Sequence, residues 1–388
     1  MINFNYSIPT EIYFGKDKID KLGELVKRHG TRVLLAYGGG SIKQNGIYNK
    51  VVDTFNSLDI PFFELSGIEP NPRITSVREG VKICRENNID FILAIGGGSV
   101  IDCSKAIAGG YYYEGDPWDF CTRKASIKKA LPIGTILTIA ATGSEMNENA
   151  VISNLDTEEK IGIGSRHVKP KFSILDPTYT FSVPAKHTAA GTVDIISHIF
   201  EQYFSPTKGA YMQDRMAEAL LKTCIHYGPI AIDNPENYDA RANLMWTSSV
   251  ALNGLLTYGK ITDWATHGME HELSAVYDIT HGVGLAILTP HWMEHVLDEA
   301  TVDKFVEYGV NVWGLQDHED KFKVAQEAIN KTKEFFISLG IPMTLSEVGI
   351  GEEKLEEMAA KATVRGAIGG FKKLNKEDVL KIYNNSLK

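Results

Sequence analysis

Five residues in the second half of this 388-residue chain have types and spacing that suit metal chemistry. Asp194 and His198 lie four apart, and His267 and His271 repeat that spacing. Residues four apart on a helix share one face. His281 follows in Asp278-Ile279-Thr280-His281-Gly282, which reads as a turn leading into a helix. One carboxylate with two or three imidazoles is a donor set suited to Fe(II) or Zn(II). A single Asp-x-x-x-His is more often an ordinary helix pair. Several such residues inside otherwise apolar stretches carry more weight, because a histidine in a core needs a partner. His29, His187 and His226 lack this arrangement and read as surface or structural residues.

The run His267-Gly268-Met269-Glu270-His271 has two histidines at the zinc-protease spacing. That motif needs a glutamate directly after the first histidine as general base, and Gly268 stands there. Protease chemistry is therefore set aside.

A second chemistry is written in glycine. Gly-Gly-Gly-Ser occurs at Gly38–Ser41 and at Gly96–Ser99, each time after an apolar run and before a helical one. At such a turn the backbone can approach a phosphate closely, and a helix N-terminus offers free N–H donors. Ser99 could cap the helix it opens or bind a phosphate oxygen. Neither turn fits G-x-G-x-x-G. One turn alone is explained as readily by a tight strand-to-helix connection, but two on successive units favour a dinucleotide. NAD-preferring enzymes commonly place an acid near the first turn to hold the ribose 2′-hydroxyl. The segment from Tyr37 to Lys43 has none, and offers Ser41 and Lys43 instead. The expectation is NADP(H) in preference to NAD, the alternative being that Lys43 is an ordinary solvated lysine. The hydroxyls and small residues of Thr138-Ile139-Ala140-Ala141-Thr142-Gly143-Ser144-Glu145 could line a nicotinamide or pyrophosphate.

These residues need a scaffold. Apolar β-rich runs at 32–37, 91–95 and 133–139 alternate with helical stretches such as 77–88, whose Val81 and Cys84 fall on an apolar side. That texture predicts a parallel sheet covered on both faces. After Pro184, long helical patterns take over at 188–204, 213–227, 240–256 and 321–339. The expectation is an α/β dinucleotide-binding domain over 1–184 and an all-helical metal and substrate domain over 185–388, with the site in the cleft between them.

Composition narrows the class. The hydrophobic share is 43%, the charged share 23% and the net charge −9. Those values are ordinary for a globular protein and argue against a nucleic-acid or anionic-membrane surface. There is no apolar run long enough to span a bilayer and no signal-peptide pattern at the start, so a cytoplasmic protein is expected. Cys84, Cys103, Cys121 and Cys224 form no C-x-x-C pair and read as core residues in a reducing compartment.

Together the motifs become specific. Gly96-Gly-Gly-Ser-Val-Ile-Asp102, Ala141-Thr-Gly-Ser-Glu145, Asp194-x-x-x-His198 and the run from His267 to Gly282 resemble the iron-containing (group III) alcohol dehydrogenases. The resemblance covers essentially the whole chain. Through Tyr37–Lys43, Arg241–Trp246 and His281–Pro290 it is similar in particular to the clostridial-type butanol dehydrogenases and related aldehyde reductases. It implies a dehydroquinate synthase-like architecture, usually dimeric, with iron or zinc held by Asp194, His198, His267 and His281. His271 matches a histidine near the substrate that is not a ligand. The implied cofactor residues are Gly38, Gly39, Gly40, Ser41, Gly97, Gly98, Ser99, Asp102, Thr138 and Thr142, joined by Asn147, Lys160 and Tyr179. The implied reaction is hydride transfer between NADP(H), or NAD(H), and a small aldehyde or primary alcohol such as butanal or butanol. A proton would pass through water or His271. Trp246, Tyr258 and Trp264 could favour an apolar substrate chain, with simple core packing as the plainer explanation. Two other readings compete with this one. A dehydroquinate-synthase-type lyase needs a Lys/Arg cluster beside the metal residues, and the sequence offers none. A nucleotide-sensing protein would not need four ligands.

Overall fold

The apolar runs become strands because β-branched and aromatic residues fit a pleated surface buried on both sides. The computed structural model describes all 388 residues. Its strands are β1 (Glu11–Phe14), β2 (Val33–Tyr37), β3 (Phe62–Leu65), β4 (Phe91–Gly96), β5 (Ile133–Leu137), β6 (Asn149–Asn154), β7 (Glu159–Gly164) and β8 (Phe172–Leu175). Six of them make one sheet in the order β1-β8-β5-β4-β2-β3, every pair parallel. β6 and β7 form a separate antiparallel pair. All residues of β2, β4, β5 and β8 are buried.

That order has a functional consequence. From β2 the chain moves to β3 on one side, while β4 pairs with the other side of β2. The winding reverses there, and in open parallel sheets ligands gather at the carboxyl ends flanking such a reversal. Tyr37 lies opposite Ile95, so the two glycine turns leave the sheet side by side.

The turns differ in what surrounds them. A Cβ at Gly39 or Gly40 would meet nothing within 4 Å, and Gly40 has φ +105°, where side chains are strained. A Cβ at Gly97 would lie 2.3 Å from Ile139 Cγ2, and one at Gly98 would lie 2.4 Å from Thr142 Oγ1. The second turn is glycine-rich because the segment after β5 packs onto it. The same packing explains why β5 ends at Leu137 and not at 139. The Thr138 N–H still bonds the Gly96 carbonyl, but Ile139 has turned onto Gly97.

The chain forms two compact units, each of which includes a short segment from the other side of residue 184. Ser7–Val183 and Pro235–Asn253 make the sheet unit; Met1–Tyr6, Pro184–Asn234 and Gly254–Lys388 make the helical unit. The helix Tyr238–Ala251 joins the sheet unit because Met245 enters its core, the Ser249 hydroxyl donates to Glu145 (2.5 Å) and Trp246 meets Phe14 edge-on. It stops before the expected 256. Residues 1–6 join the helical unit through the Ile2 N–H on the Gly259 carbonyl (2.9 Å) and through Phe4 and Tyr6 against Tyr258.

Helices expected at 188–204 and 321–339 are found as Ala185–Tyr203 and Lys321–Ser338. The one expected at 213–227 is Tyr211–Asp233 and continues through Pro229, because Ala231 beyond it is buried. The one expected at 77–88 is Ile74–Glu86, with Val81 and Cys84 buried as foreseen. No helix is long and apolar enough to cross a membrane.

The contrast between the turns is testable by thermal and denaturant unfolding. Gly98→Ala should lose about 1–3 kcal/mol by overpacking against Thr142. Gly39→Ala should change stability by less than about 1 kcal/mol. Equal losses would show that the second turn is not a packing contact.

Candidate metal centre and dinucleotide site

Three helices of the helical unit bring the metal-type residues together. Asp194 and His198 lie on Ala185–Tyr203, and His267 and His271 on Ala265–Tyr277; His281 is the first residue of His281–Val296, after Asp278 at φ +50°. One donor atom each from Asp194, His267 and His281 lie within 4.8 Å of one another. His281 Nε2 is 3.7 Å and His198 Nδ1 3.5 Å from Asp194 Oδ1. The His198 ring centroid is 4.7 Å from that of His267, so His198 stands beside the trio and outside its tightest set. Burial, with His267 and His281 adding to it, holds His198 well below the ordinary histidine range. Its ring is neutral, the form that binds cations. His271 sits on the outer side, 5.8 Å from His281 between ring centroids, and clusters with Glu270 and His281.

Two carboxylates missed in the sequence orient these rings. Glu201 Oε1 accepts from the His267 N–H (2.9 Å) and the Thr266 hydroxyl, and faces His267 Nδ1 at 3.0 Å. Glu201 Oε2 accepts from the Trp264 N–H (2.7 Å). One buried acid thus fixes both the start of the histidine-bearing helix and the ring upon it. Glu270 does the same for His281, meeting its Nδ1 while accepting from the Ser274 hydroxyl. A carboxylate at Nδ1 makes that nitrogen the donor and leaves Nε2 with its lone pair. A faint signal existed for each: Glu201 is two helical turns beyond Asp194, and Glu270 three residues beyond His267.

The residues fit a divalent cation. His267 Nε2 is buried and has no hydrogen-bond partner. Asp194, Glu201 and Glu270 are 3%, 1% and 0% exposed, and a cation among them would offset the cost of burying carboxylate charge. Of the three aromatics, Trp264 adjoins the cluster, 5.2 Å from His267 and 6.3 Å from His198 between centroids. Trp246 packs on Phe14, and Tyr258 against Phe4 and Tyr6.

The sheet unit carries the other residues. Gly38–Ser41 and Gly97–Ser99 sit at the ends of β2 and β4, and Thr138 follows β5. The cap of the Gly98–Gly110 helix is Gly97, with no side-chain bond, so Ser99 does not cap it. Thr142 Oγ1 accepts from the Ser144 N–H (3.2 Å). The Tyr179 hydroxyl is buried without a hydrogen-bond partner, and its ring packs against the core cluster that includes Tyr37 and Ile42.

Asp102 and Asn147 are engaged inside the protein. Asp102 accepts from the Ser144 hydroxyl (2.5 Å) and the Val151 N–H (2.8 Å). The Asn147 carbonyl accepts from Lys105 and the Asn149 N–H, and its amide donates to Gly143 O. Lys160 is buried on β7, and its charge acts on Asp102. Lys43 lies over two tyrosine rings, 4.6 Å from the Tyr48 centroid and 5.2 Å from that of Tyr37. Glu64 on β3 accepts from both tyrosine hydroxyls. Glu64 lies one strand away from the turn, paired with Leu35 of β2.

Comparison with known proteins finds relatives over the whole chain. The family described as iron-containing alcohol dehydrogenase matches residues 9–177, and its C-terminal counterpart matches 188–387. The chain is 59% identical over 388 residues to NADH-dependent butanol dehydrogenase A of Clostridium acetobutylicum, covering all of both chains. It is 42% identical over 369 residues to the NADPH-dependent aldehyde reductase YqhD of Escherichia coli, covering 94% of each. The crystal structure of NADH-dependent butanol dehydrogenase A from Thermotoga maritima superposes with a TM-score of 0.96 at 39% identity, covering 100% of this chain and 99% of that one.

Chelator competition on iron-loaded protein tests the cluster. His267→Ala should strip the ion, His271→Ala should retain it, and Glu201→Gln should weaken it by about 10–100-fold. Full retention in His267→Ala, or loss in His271→Ala, would mean that the ligand set is misassigned.

Proposed function

Since the chain belongs to the iron-containing alcohol dehydrogenase family, we propose that it catalyses reversible hydride transfer between a nicotinamide dinucleotide and a small aliphatic aldehyde or primary alcohol, with butanal and butanol as the working pair. The observation that carries this reading is the buried cluster of Asp194, His267 and His281, with Glu201 and Glu270 backing the two rings. When bound, a divalent ion there supplies Lewis acidity toward the substrate oxygen, and the dinucleotide supplies or accepts the hydride.

The chain's own residues do the rest. Asp194, His198, His267 and His281 hold the ion. Glu201 and Glu270 keep the His267 and His281 rings turned toward it. Trp264 excludes water beside them and favours an apolar substrate chain. His271, with Glu270 and His281 as neighbours, carries a proton between the substrate oxygen and water. The open turn at Gly39 and Gly40 and the uncapped start of the Gly98–Gly110 helix receive the dinucleotide phosphates. The family's usual homodimer is the proposed assembly.

On cofactor choice, no carboxylate between Tyr37 and Lys43 repels a 2′-phosphate. The Clostridium relative is nonetheless named for NADH, and Lys43 is occupied by two tyrosines tied to Glu64. We therefore set the expectation at use of both cofactors and not at strict preference for NADP(H). The kcat/KM values for NADH and NADPH should lie within about tenfold of each other, and Gly39→Asp should shift the ratio toward NADH by at least about tenfold. A wild-type ratio beyond about 100-fold either way would overturn this reading of the turn.

The ion is proposed to be Fe(II), with Zn(II) as the other candidate. Activity should decay in air and return with ferrous iron plus reductant, but not with thiol reductant alone. All four cysteines are buried, and burial pushes the Cys84 and Cys121 thiols up to about 12, which suppresses thiolate oxidation. Full recovery with thiol alone would place the damage at cysteine. Lasting activity in air with zinc bound would reject iron and leave the dehydrogenase reading intact.

A further inference from the structure

Lys105 belongs to no glycine turn and no metal cluster, yet its side chain is fully buried in the Gly98–Gly110 helix. Its ammonium donates to Ser144 Oγ (2.8 Å), Asn147 Oδ1 (3.0 Å) and the Asn149 carbonyl (2.7 Å). An ammonium has three donors, so this one is saturated. All three acceptors lie in one short segment, 144–149. That segment begins two residues after Thr142, whose side chain fills the space above Gly98. Asp102, one helical turn before Lys105, grips the same segment through Ser144 and the Val151 N–H.

A buried ammonium held only by neutral acceptors is a poor way to gain stability alone, since taking the charge out of water is costly. What it adds is fixed geometry. Burial pulls the Lys105 ammonium down to about 8, while Asp102 and Glu145 act in the opposite direction.

The place of this hub in the sheet gives the geometry a use. β2 and β3 lie on one side of the winding reversal and β4 and β5 on the other. A dinucleotide crossing the reversal, with its pyrophosphate at the helix start, lays one half over each side. If the adenosine half takes the open turn after β2, the nicotinamide half falls over the segment that follows β5.

We propose that Lys105 is a positioning residue for hydride transfer: it clamps the 142–149 segment beneath the nicotinamide, and Asp102 and Asn147 serve the cofactor through that clamp and not as direct ligands. The proposal rests on the dinucleotide reading of the sheet unit.

The test compares ADP-ribose, which lacks the nicotinamide, with NADH. Binding of each to iron-loaded wild type and Lys105→Met is measured by calorimetry, and turnover is measured with butanal. ADP-ribose affinity should be unchanged, NADH affinity should fall by about tenfold, and kcat should fall by about 100-fold. Equal weakening of both ligands would indicate general disruption and overturn the proposal; so would no change in either. If Lys105→Met does not fold, as judged by circular dichroism, Ser144→Ala decides the matter. It removes one clamp contact and should weaken NADH by about threefold with ADP-ribose unchanged. Equal effects on both ligands, or none, would again overturn the proposal. Failure of the wild-type chain to bind ADP-ribose, NADH or NADPH would overturn the dinucleotide reading itself. Binding by the wild type with unselective variants would overturn only the role of Lys105.

Discussion

A buried imidazole can offer one nitrogen to a cation only if its other nitrogen is held, and in this chain two buried carboxylates do the holding. Glu201 and Glu270 fix the His267 and His281 rings, and much else follows from that constraint. Glu201 also ties down the Trp264 and His267 N–H groups, so the helix that presents His267 begins where the ring needs it. A Cβ at position 284 would press within 2.8 Å of Glu270 Cγ, so the glycine there is part of the same arrangement. A cation bound beside these buried acids would lower the cost of their charge, which links the stability of this region to its chemistry.

The sheet unit solves a different problem with similar economy. Its two glycine turns share a sequence and a position at adjacent strand ends, yet one is open and the other is closed by the segment after β5. The open turn lets a ligand approach the backbone. The closed one couples the β4 and β5 connections, so that Gly98, Thr142, Ser144 and Lys105 act as one block. Hydride transfer demands close control of distance and angle, and a block held by saturated hydrogen bonds can provide it.

Much of this was legible in the sequence because periodicity and turn chemistry are local. The strands at 33–37 and 91–96, the helices bearing Asp194 and His267, and the start of a helix at His281 all followed from patterns within a few residues. What escaped depends on contacts between distant segments. Glu201 lies 66 residues from His267 along the chain, and Glu64 reaches Tyr37 across a strand pair. Asp102 and Asn147 resemble cofactor ligands by motif, and their hydrogen bonds to Ser144, the Val151 N–H and Lys105 join segments too far apart in the chain for a local pattern to show. The end of β5 was misplaced for the same reason: Ile139 suits a strand, but the glycine it packs on lies in another turn.

The helix Tyr238–Ala251 completes the sheet unit from a point far along the chain. Residues 7–183 alone leave the place of Met245 in that core unfilled and the Glu145 carboxylate without Ser249. A ribosome making this protein must therefore synthesise the 184–234 part of the helical unit before the first unit can close. The two units cannot mature in strict sequence as beads on a string: the sheet unit waits for residues 235–253, and residues 1–6, made first, wait for the helical unit they join. Their folding is interlocked in time, with long loops to be closed before the late contacts repay them. For the same reason a gene cut at the apparent boundary near residue 184 would yield a first fragment lacking the Met245 part of its core and a second lacking the exposed residues 1–6 that pack on Tyr258.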